Sequence, residues 1–204
     1  MNDVLISCII PASAKDVESQ NLKDLIASIK AQDFPQDQIE IIVITNVGTN
    51  GDIILRNSQE GVMYINEDSD SEQAKARGIM EAKGEICAMF CADNYIVEPG
   101  TFRFVYAVMT KFDLAGVYTK RYARRNNDNS LNRYFSLIGN NDPIAFYLNK
   151  NDRKPHYIGE DEVVFDWVQF PLSIPSLGDN GFFYLTKKIR NTDLDHYYPM
   201  DNAE

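Results

Sequence analysis

Val4-Leu5-Ile6-Ser7-Cys8-Ile9-Ile10 runs without a charge as far as Pro11. A strand with one wet face alternates apolar and polar side chains, whereas a strand buried on both faces does not. The run therefore predicts a parallel strand ended by Pro11, inside an α/β sheet. Downstream, Leu22, Leu25, Ile26 and Ile29 recur at helical spacing, and Pro35 closes that segment. Ile39-Glu40-Ile41-Ile42-Val43-Ile44 is a second buried strand, followed by the turn-rich Thr45-Asn46-Val47-Gly48-Thr49-Asn50-Gly51. Val62-Met63-Tyr64-Ile65 is a short third strand. Residues 72–83 read as a helix with a small near face (Ala74, Gly78, Ile79, Ala82) and a capping box of Ser69 with Glu72. Glu85 to Phe90 is a fourth strand, running into Cys91-Ala92-Asp93-Asn94. Pro99 opens a helix striped by Phe102, Val105, Tyr106, Met109 and Phe112, and Leu114-Ala115-Gly116-Val117-Tyr118 is a fifth strand. This alternation is that of an α/β domain with a mostly parallel sheet and right-handed connections.

Beyond residue 120 the periodicity weakens. Short helix-like pieces (131–138 and 144–148) are set among Asn, Asp, Lys and Arg. Strand-like Val163–Phe170 and Pro171–Leu177 follow, then Gly178-Asp179-Asn180-Gly181 and a short candidate helix from Thr186 to Arg190. This half reads as an elaboration on the sheet, where acceptor or partner contacts would lie.

The 204 residues suit one domain, and 44% apolar with 25% charged residues is an ordinary globular balance. With 20 Lys+Arg against 30 Asp+Glu the net charge is −10, which argues against a dedicated nucleic-acid binder. No apolar run approaches the roughly 18 residues of a membrane span, and no basic n-region precedes an apolar stretch, so neither a span nor a signal peptide is expected. An odd count of three cysteines, two of them in apolar runs, points to a reducing cytoplasm and to buried, inert thiols. On a strand the four-residue spacing of Cys87 and Cys91 covers about 13 Å, too far to hold one ion.

In an open α/β sheet, ligands bind beyond the carboxyl ends of the strands, where strand order reverses. Strand one delivers Pro11-Ala12-Ser13 there, strand two Thr45-Asn46, and strand four Cys91-Ala92-Asp93-Asn94, with Lys75 and Arg77 brought near by the small-faced helix. A carboxylate, hydroxyls, an amide and a cation at converging strand ends suit a nucleotide and a hard divalent ion, since Mg²⁺ takes one or two protein carboxylates plus substrate phosphates. Asp93 is the sharpest of these. It is read either as a metal or donor contact or as the cap of the turn towards Pro99. The acidic loop Glu67-Asp68-Ser69-Asp70 is read as helix-start chemistry. The basic run Lys120-Arg121-Tyr122-Ala123-Arg124-Arg125 is a solvated loop, or a contact for a diphosphate, an anionic acceptor or the anionic cytoplasmic leaflet.

Taken in order, these pieces resemble glycosyltransferase family 2, the inverting GT-A nucleotide-sugar transferases. The resemblance covers residues 4–100. It rests on Ile6–Pro11, on Ser28-Ile29-Lys30-Ala31-Gln32-Asp33-Phe34-Pro35, on Ile39–Ile44, on the stretch Ala74 to Glu85, and on Phe90-Cys91-Ala92-Asp93-Asn94. It implies a GT-A fold in one domain, with residues 1–119 as the nucleotide-sugar-binding half and 120–204 as the acceptor-binding half. It implies Pro11, Ser13, Thr45, Asn46, Lys75, Cys91, Ala92 and Asp93 at the donor, with Asp93 on Mg²⁺ or Mn²⁺. It further implies Asn180 and Gly181 at the acceptor and Asp201 as the general base, with Asp193 and Asp195 as rivals. The partners implied are a nucleotide diphosphate sugar, a UDP-sugar in first place, and a glycan or lipid-linked acceptor in cell-surface polysaccharide synthesis. The place implied is the cytoplasm, at the inner face of the membrane through peripheral contact; oligomeric state is left open.

Three positions depart from the family pattern. Thr45 stands where an Asp usually contacts the base, Lys75-Ala76 stands for Arg-Asn, and Cys91 replaces the first carboxylate of the Asp-x-Asp motif. The alternative reading is therefore a degenerate GT-A domain that binds nucleotide or a partner protein without catalysis. A nucleotidyltransferase on a related sheet is a weaker rival, because no Gly-rich basic phosphate loop follows strand one. The family continues past its catalytic Asp with helices over the acceptor site. Ending at Glu204, this chain is expected to be truncated.

Overall fold

β1 (Ile6–Ser13) occupies the inside of a four-stranded sheet because neither of its faces is polar. β2 (Ile39–Asn46) and β4 (Ile86–Met89) flank it in parallel and β3 (Val62–Asn66) lies beyond β2, giving the order β3-β2-β1-β4. The computed structural model describes residues 3–48 and 51–119, scattered positions between 129 and 148, and strands at 153–157, 163–167 and 182–186. It divides into two compact units, Met1–Tyr106 and Ala107–Glu204.

In the first unit, α1 (Ala14–Val17) and α2 (Gln20–Lys30) lead from β1 to β2, α3 (Asp52–Asn57) from β2 to β3, and α4 (Ser71–Glu81) from β3 to β4. Strand alternation sends Ile6, Cys8 and Ile10 to one face with Ile41 and Val43, where the Leu22, Leu25, Ile26 and Ile29 stripe of α2 covers them. Ile9, Ile42 and Ile44 point to the other face, against Ala74 of α4. Each fully buried side chain of this size contributes about 1.5–3 kcal/mol, so this double-sided core carries the unit.

Pro11 does not end β1; the strand continues to Ser13, with Pro11 beside Ile44. Ile86 N–H donates to the Leu5 carbonyl and Phe90 N–H to that of Ile9, so the odd-numbered backbone groups of β1 face β4. Pro11 faces the same way, past the last residue of β4, so its missing N–H costs no ladder bond. α3 follows directly on the turn-rich stretch 45–51, where the sequence reading places no helix. α4 is capped by Asp70, whose carboxylate accepts from Glu72 and Gln73 while Gln73 reaches back to the Asp70 N–H. The box is thus one residue beyond the expected Ser69–Glu72 pair. Of the expected small face, Ala74 and Gly78 are buried, whereas Ile79 is 51% exposed. At Gly78 a Cβ would lie 2.4 Å from Ile9 Cγ2 and 2.8 Å from Ile44 Cδ1, so only glycine lets α4 lie this close to the sheet. The cysteines also correct expectation: Cys8 is buried, but Cys87 and Cys91 are exposed, because β4 is only four residues long and lies at an edge.

α5 (Thr101–Phe112) begins two residues after Pro99 and ends at Asp113, which adopts φ 51°, the left-handed position that stops a helix. β5 (Leu114–Thr119) does not extend the parallel sheet. It pairs antiparallel with β8 (Phe182–Thr186), with an irregularity between Leu114 and Gly116, and β6 (Arg153–Tyr157) pairs antiparallel with β7 (Val163–Trp167). Thr186 is the last residue of β8, and residues 187–190 of the expected helix lie outside the described residues. The basic run 120–125, the loop 178–181 and Asp193, Asp195 and Asp201 lie outside the described residues. Among the described residues no helix is long and apolar enough to cross a membrane.

Candidate functional site

The chain moves outward from β1 to β2 to β3 and then returns to the other side of β1 as β4. Strand order therefore reverses between β1 and β4, and the carboxyl ends of those two strands open a crevice. A pocket of about 390 Å³ lies there. Pro11 of β1, Lys75 of α4 and the segment Phe90-Cys91-Ala92-Asp93 after β4 line it, together with Asp16, Asn21 and Ser71.

The turn that carries Asp93 is built locally. Cys91 N–H donates to Asn94 Oδ1 at 2.7 Å, and Asn94 N–H donates to the Cys91 carbonyl at 2.9 Å. Ala92 is buried in the core and anchors the turn. Asn94, not Asp93, thus closes the turn. Asp93 is exposed and makes no hydrogen bond or ion pair among the described residues. Lys75 approaches from α4 and pairs with Glu72 at 2.5 Å. α4 starts at the pocket with Ser71, so the positive end of its dipole adds to Lys75 there. The Cys91 thiol is pushed up from its ordinary range by partial burial first, then by the charge of Asp93, with Lys75 opposing and Glu72 adding. It is therefore protonated at neutral pH and is a poor nucleophile.

Pro11, Lys75, Cys91, Ala92 and Asp93 share this pocket; Ser13, Thr45 and Asn46 do not line it. Ser13 caps α1, its hydroxyl accepting from Asp16 N–H while its own N–H donates to Asp16 Oδ2 at 2.7 Å. Asn46 donates to Asp68 Oδ1 at 2.7 Å. Thr45 is 1% exposed, and its hydroxyl has no hydrogen-bond partner among the described residues. Arg77 is held by Glu67 and Glu81. Asn180, Gly181 and Asp201 lie outside the described residues. Asp16 and Asn21 are pocket residues that the linear reading missed. The Ser-x-x-Asp spacing of Ser13 and Asp16 was the available signal, because a capping box folds the carboxylate back over the strand end.

Among the described residues no three ligating side chains cluster as a self-sufficient metal cage. A hard divalent ion that takes one or two protein carboxylates and fills its shell from substrate phosphates needs only an unpaired carboxylate at the pocket, and Asp93 fits that requirement.

No protein-family sequence profile matches the chain, and no curated protein matches it in sequence. Solved structures do match in three dimensions. S. aureus TarS 1–349 in complex with UDP-GlcNAc is 19% identical, with 62% of this chain and 36% of that one covered at a TM-score of 0.50. TarS is a GT-A-type glycosyltransferase. The chain has a GT-A fold. The UDP complex of TarS 1–349 (20% identity, 62% and 38% coverage, TM-score 0.49) also matches. So does the mannosyltransferase PcManGT from Pyrobaculum calidifontis with GDP-Man and Mn²⁺ (19% identity, 63% and 38% coverage, TM-score 0.47). The chain spans little more than a third of the length of these solved structures.

Two results are expected from this GT-A pocket. Asp93→Asn removes a charge that raises the Cys91 thiol, so more thiolate is present at about pH 8 and alkylation accelerates; peptide-resolved mass spectrometry separates Cys91 from Cys87. Thr45→Val removes an unpartnered buried hydroxyl, so stability should rise by about 1 kcal/mol and the thermal midpoint by about 2–4 °C. If UDP affinity falls in the same variant, the hydroxyl serves the ligand rather than nothing.

Proposed function

We propose that the chain is one GT-A domain, residues 1–119 binding the donor and 120–204 the acceptor. In this reading it transfers a sugar from a nucleotide diphosphate sugar, UDP-sugars first, to a glycan or lipid-linked acceptor of a surface polysaccharide at the cytoplasmic face of the membrane. The observation that supports it is Asp93, unpaired among the described residues and lining the same pocket as Lys75, at the strand ends where order reverses. Asp93 would hold Mg²⁺ or Mn²⁺, whose charge neutralises the departing diphosphate when bound. Lys75 and the start of α4 attract the same phosphates, and Asn46, exposed at the end of β2, serves the nucleoside side. Asn180 and Gly181 shape the acceptor pocket.

Asp201 takes the proton of the acceptor hydroxyl, whose oxygen attacks the anomeric carbon from the face opposite the diphosphate. The carbon–oxygen bond to phosphate breaks, its electron pair leaves with the diphosphate, and the configuration inverts.

Calorimetry with UDP, UDP-sugars and GDP-sugars, with and without Mn²⁺, tests the reading; absence of any nucleotide binding sinks it. A second reading, nucleotide binding without transfer, is favoured by the burial of Thr45 away from the pocket. Slow donor hydrolysis that Asp93→Ala abolishes would exclude that second reading.

A further inference from the structure

The segment from Phe90 to Gly100 carries Asp93 yet belongs to no helix or strand. Its apolar anchoring is concentrated at the near end, where Phe90 packs on the core beside Phe102 and Ala92 is buried; beyond that Ile96 is half-buried, while Tyr95 and Val97 are 53% and 55% exposed. A loop this poor in buried surface needs another source of order.

That source is the last turn of α2 and the residues just after it. Ser28 and Gln32 are each 5% exposed, and both point at the loop. Ser28 Oγ donates to the Leu25 carbonyl at 2.7 Å and accepts from Ile96 N–H at 3.2 Å. Gln32 Nε2 donates to the Ser28 carbonyl at 3.3 Å and to the Glu98 carbonyl at 3.1 Å. Gln32 Oε1 accepts from Phe102 N–H at 3.2 Å, satisfying one of the orphan donors in the first turn of α5. Asp33 N–H donates to the Pro99 carbonyl at 2.8 Å, and Arg103 closes on the Asp33 carboxylate at 2.7 Å. Every polar group of the Gln32 amide is used, and two of its three partners, the Glu98 carbonyl and the Phe102 N–H, are backbone groups on either side of Pro99. One side chain therefore holds the loop's far end to the helix while the Cys91–Asn94 turn holds its near end.

We propose that Gln32, assisted by Ser28, is the positioning residue for Asp93: it fixes the loop so that the carboxylate stands at the pocket. Gln32 touches no ligand and acts only through the loop. The inference rests on Asp93 belonging to the donor site, as in the proposed function. Removing the amide leaves the Glu98 carbonyl and the Phe102 N–H without their partner, and such losses propagate along a segment with little else to hold it.

The test compares Gln32→Ala, Gln32→Glu and the core variant Ile26→Val with the unaltered chain of 204 residues. Readouts are native-state hydrogen exchange, thermal midpoint and Mn²⁺-dependent UDP binding. Gln32→Ala should speed exchange about tenfold at Ile96 and Phe102, and also at Cys91 and Asn94, because a net hydrogen bond is worth about that factor. Mn²⁺-dependent UDP affinity should fall about tenfold, with metal-free UDP binding unchanged. Gln32→Glu keeps an acceptor for Phe102 N–H and should restore much of the protection at that end. Ile26→Val should lower the thermal midpoint without touching either exchange at Cys91 and Asn94 or the metal-dependent affinity. If the exchange caused by Gln32→Ala stops at Ile96 and Phe102, the positioning role is overturned, whatever the protein binds. If exchange spreads to Cys91 and Asn94 but the unaltered chain binds no UDP, the loop role stands and the donor-site reading falls instead. If exchange spreads while the metal-dependent affinity stays constant, Asp93 does not depend on the loop and the proposal is overturned.

Discussion

Asp93→Ala should abolish the Mn²⁺-dependent part of UDP binding, a loss of about 100-fold or more, and leave the fold untouched. Outer-shell partners of metal ligands already cost about 10–100-fold when removed, so a ligand itself should cost no less. The fold should survive because Asp93 is exposed and makes no hydrogen bond or ion pair among the described residues; the turn is closed by Asn94 and anchored by Ala92. Surface changes of that kind usually stay within about 0.5 kcal/mol. Calorimetric titration of UDP at several Mn²⁺ concentrations, beside a urea melt, reads both quantities. Equal affinities for the two proteins would remove Asp93 from the metal site.

The largest stability effect is expected far from that pocket, at Gly84→Ala. An added Cβ would lie 2.6 Å from Ser7 Oγ, 2.7 Å from Ser7 N and 2.9 Å from the Ile6 carbonyl carbon. Two of those three atoms are backbone of the buried strand β1, which has no room to retreat. The collision falls on a polar knot. Gly84 N–H donates to Ser7 Oγ at 2.7 Å, Ser7 Oγ donates to Glu40 Oε1 at 2.5 Å, and Lys83 N–H donates to the same oxygen at 2.5 Å. Pushing the α4–β4 connection outwards breaks these bonds and overpacks the strand, which together cost about 3 kcal/mol or more. Urea denaturation should show a lower midpoint at unchanged slope. Gly100→Ala, where a Cβ meets nothing within 4 Å, is the matched control and should cost well under about 1 kcal/mol.

Much of the first unit was legible in the linear chain. The unbroken apolar runs of β1 and β2 announce strands with two dry faces, and the spacing of Leu22, Leu25, Ile26 and Ile29 announces the helix that covers one of them. Pro11, Lys75, Cys91, Ala92 and Asp93 were legible as neighbours because a parallel sheet delivers every strand end to the same side. Asp16 and Asn21 were not, since their route into the pocket depends on how α1 folds back after β1. The reading of Asp93 stayed open between a metal or donor contact and a turn cap, and the fold gives the cap to Asn94, because both residues suit that role chemically and only the fold decides between them.

What the sequence determined by itself is therefore the local and periodic part: the strands β1 to β5 and the helices α2, α4 and α5, that the sheet is mainly parallel, and which residues stand at its carboxyl edge. Periodicity records which faces of an element are dry, and that property is written residue by residue. The tertiary structure alone decided which elements pair and which polar groups are satisfied. It paired β5 with β8 instead of adding it to the parallel sheet, left Cys87 exposed on a short edge strand, buried the Thr45 hydroxyl without a partner among the described residues, and joined Gln32 to the loop beyond Asp93. Each of these outcomes depends on atoms brought together across tens of residues, and hydrogen-bond satisfaction at such distances leaves no periodic trace in the chain.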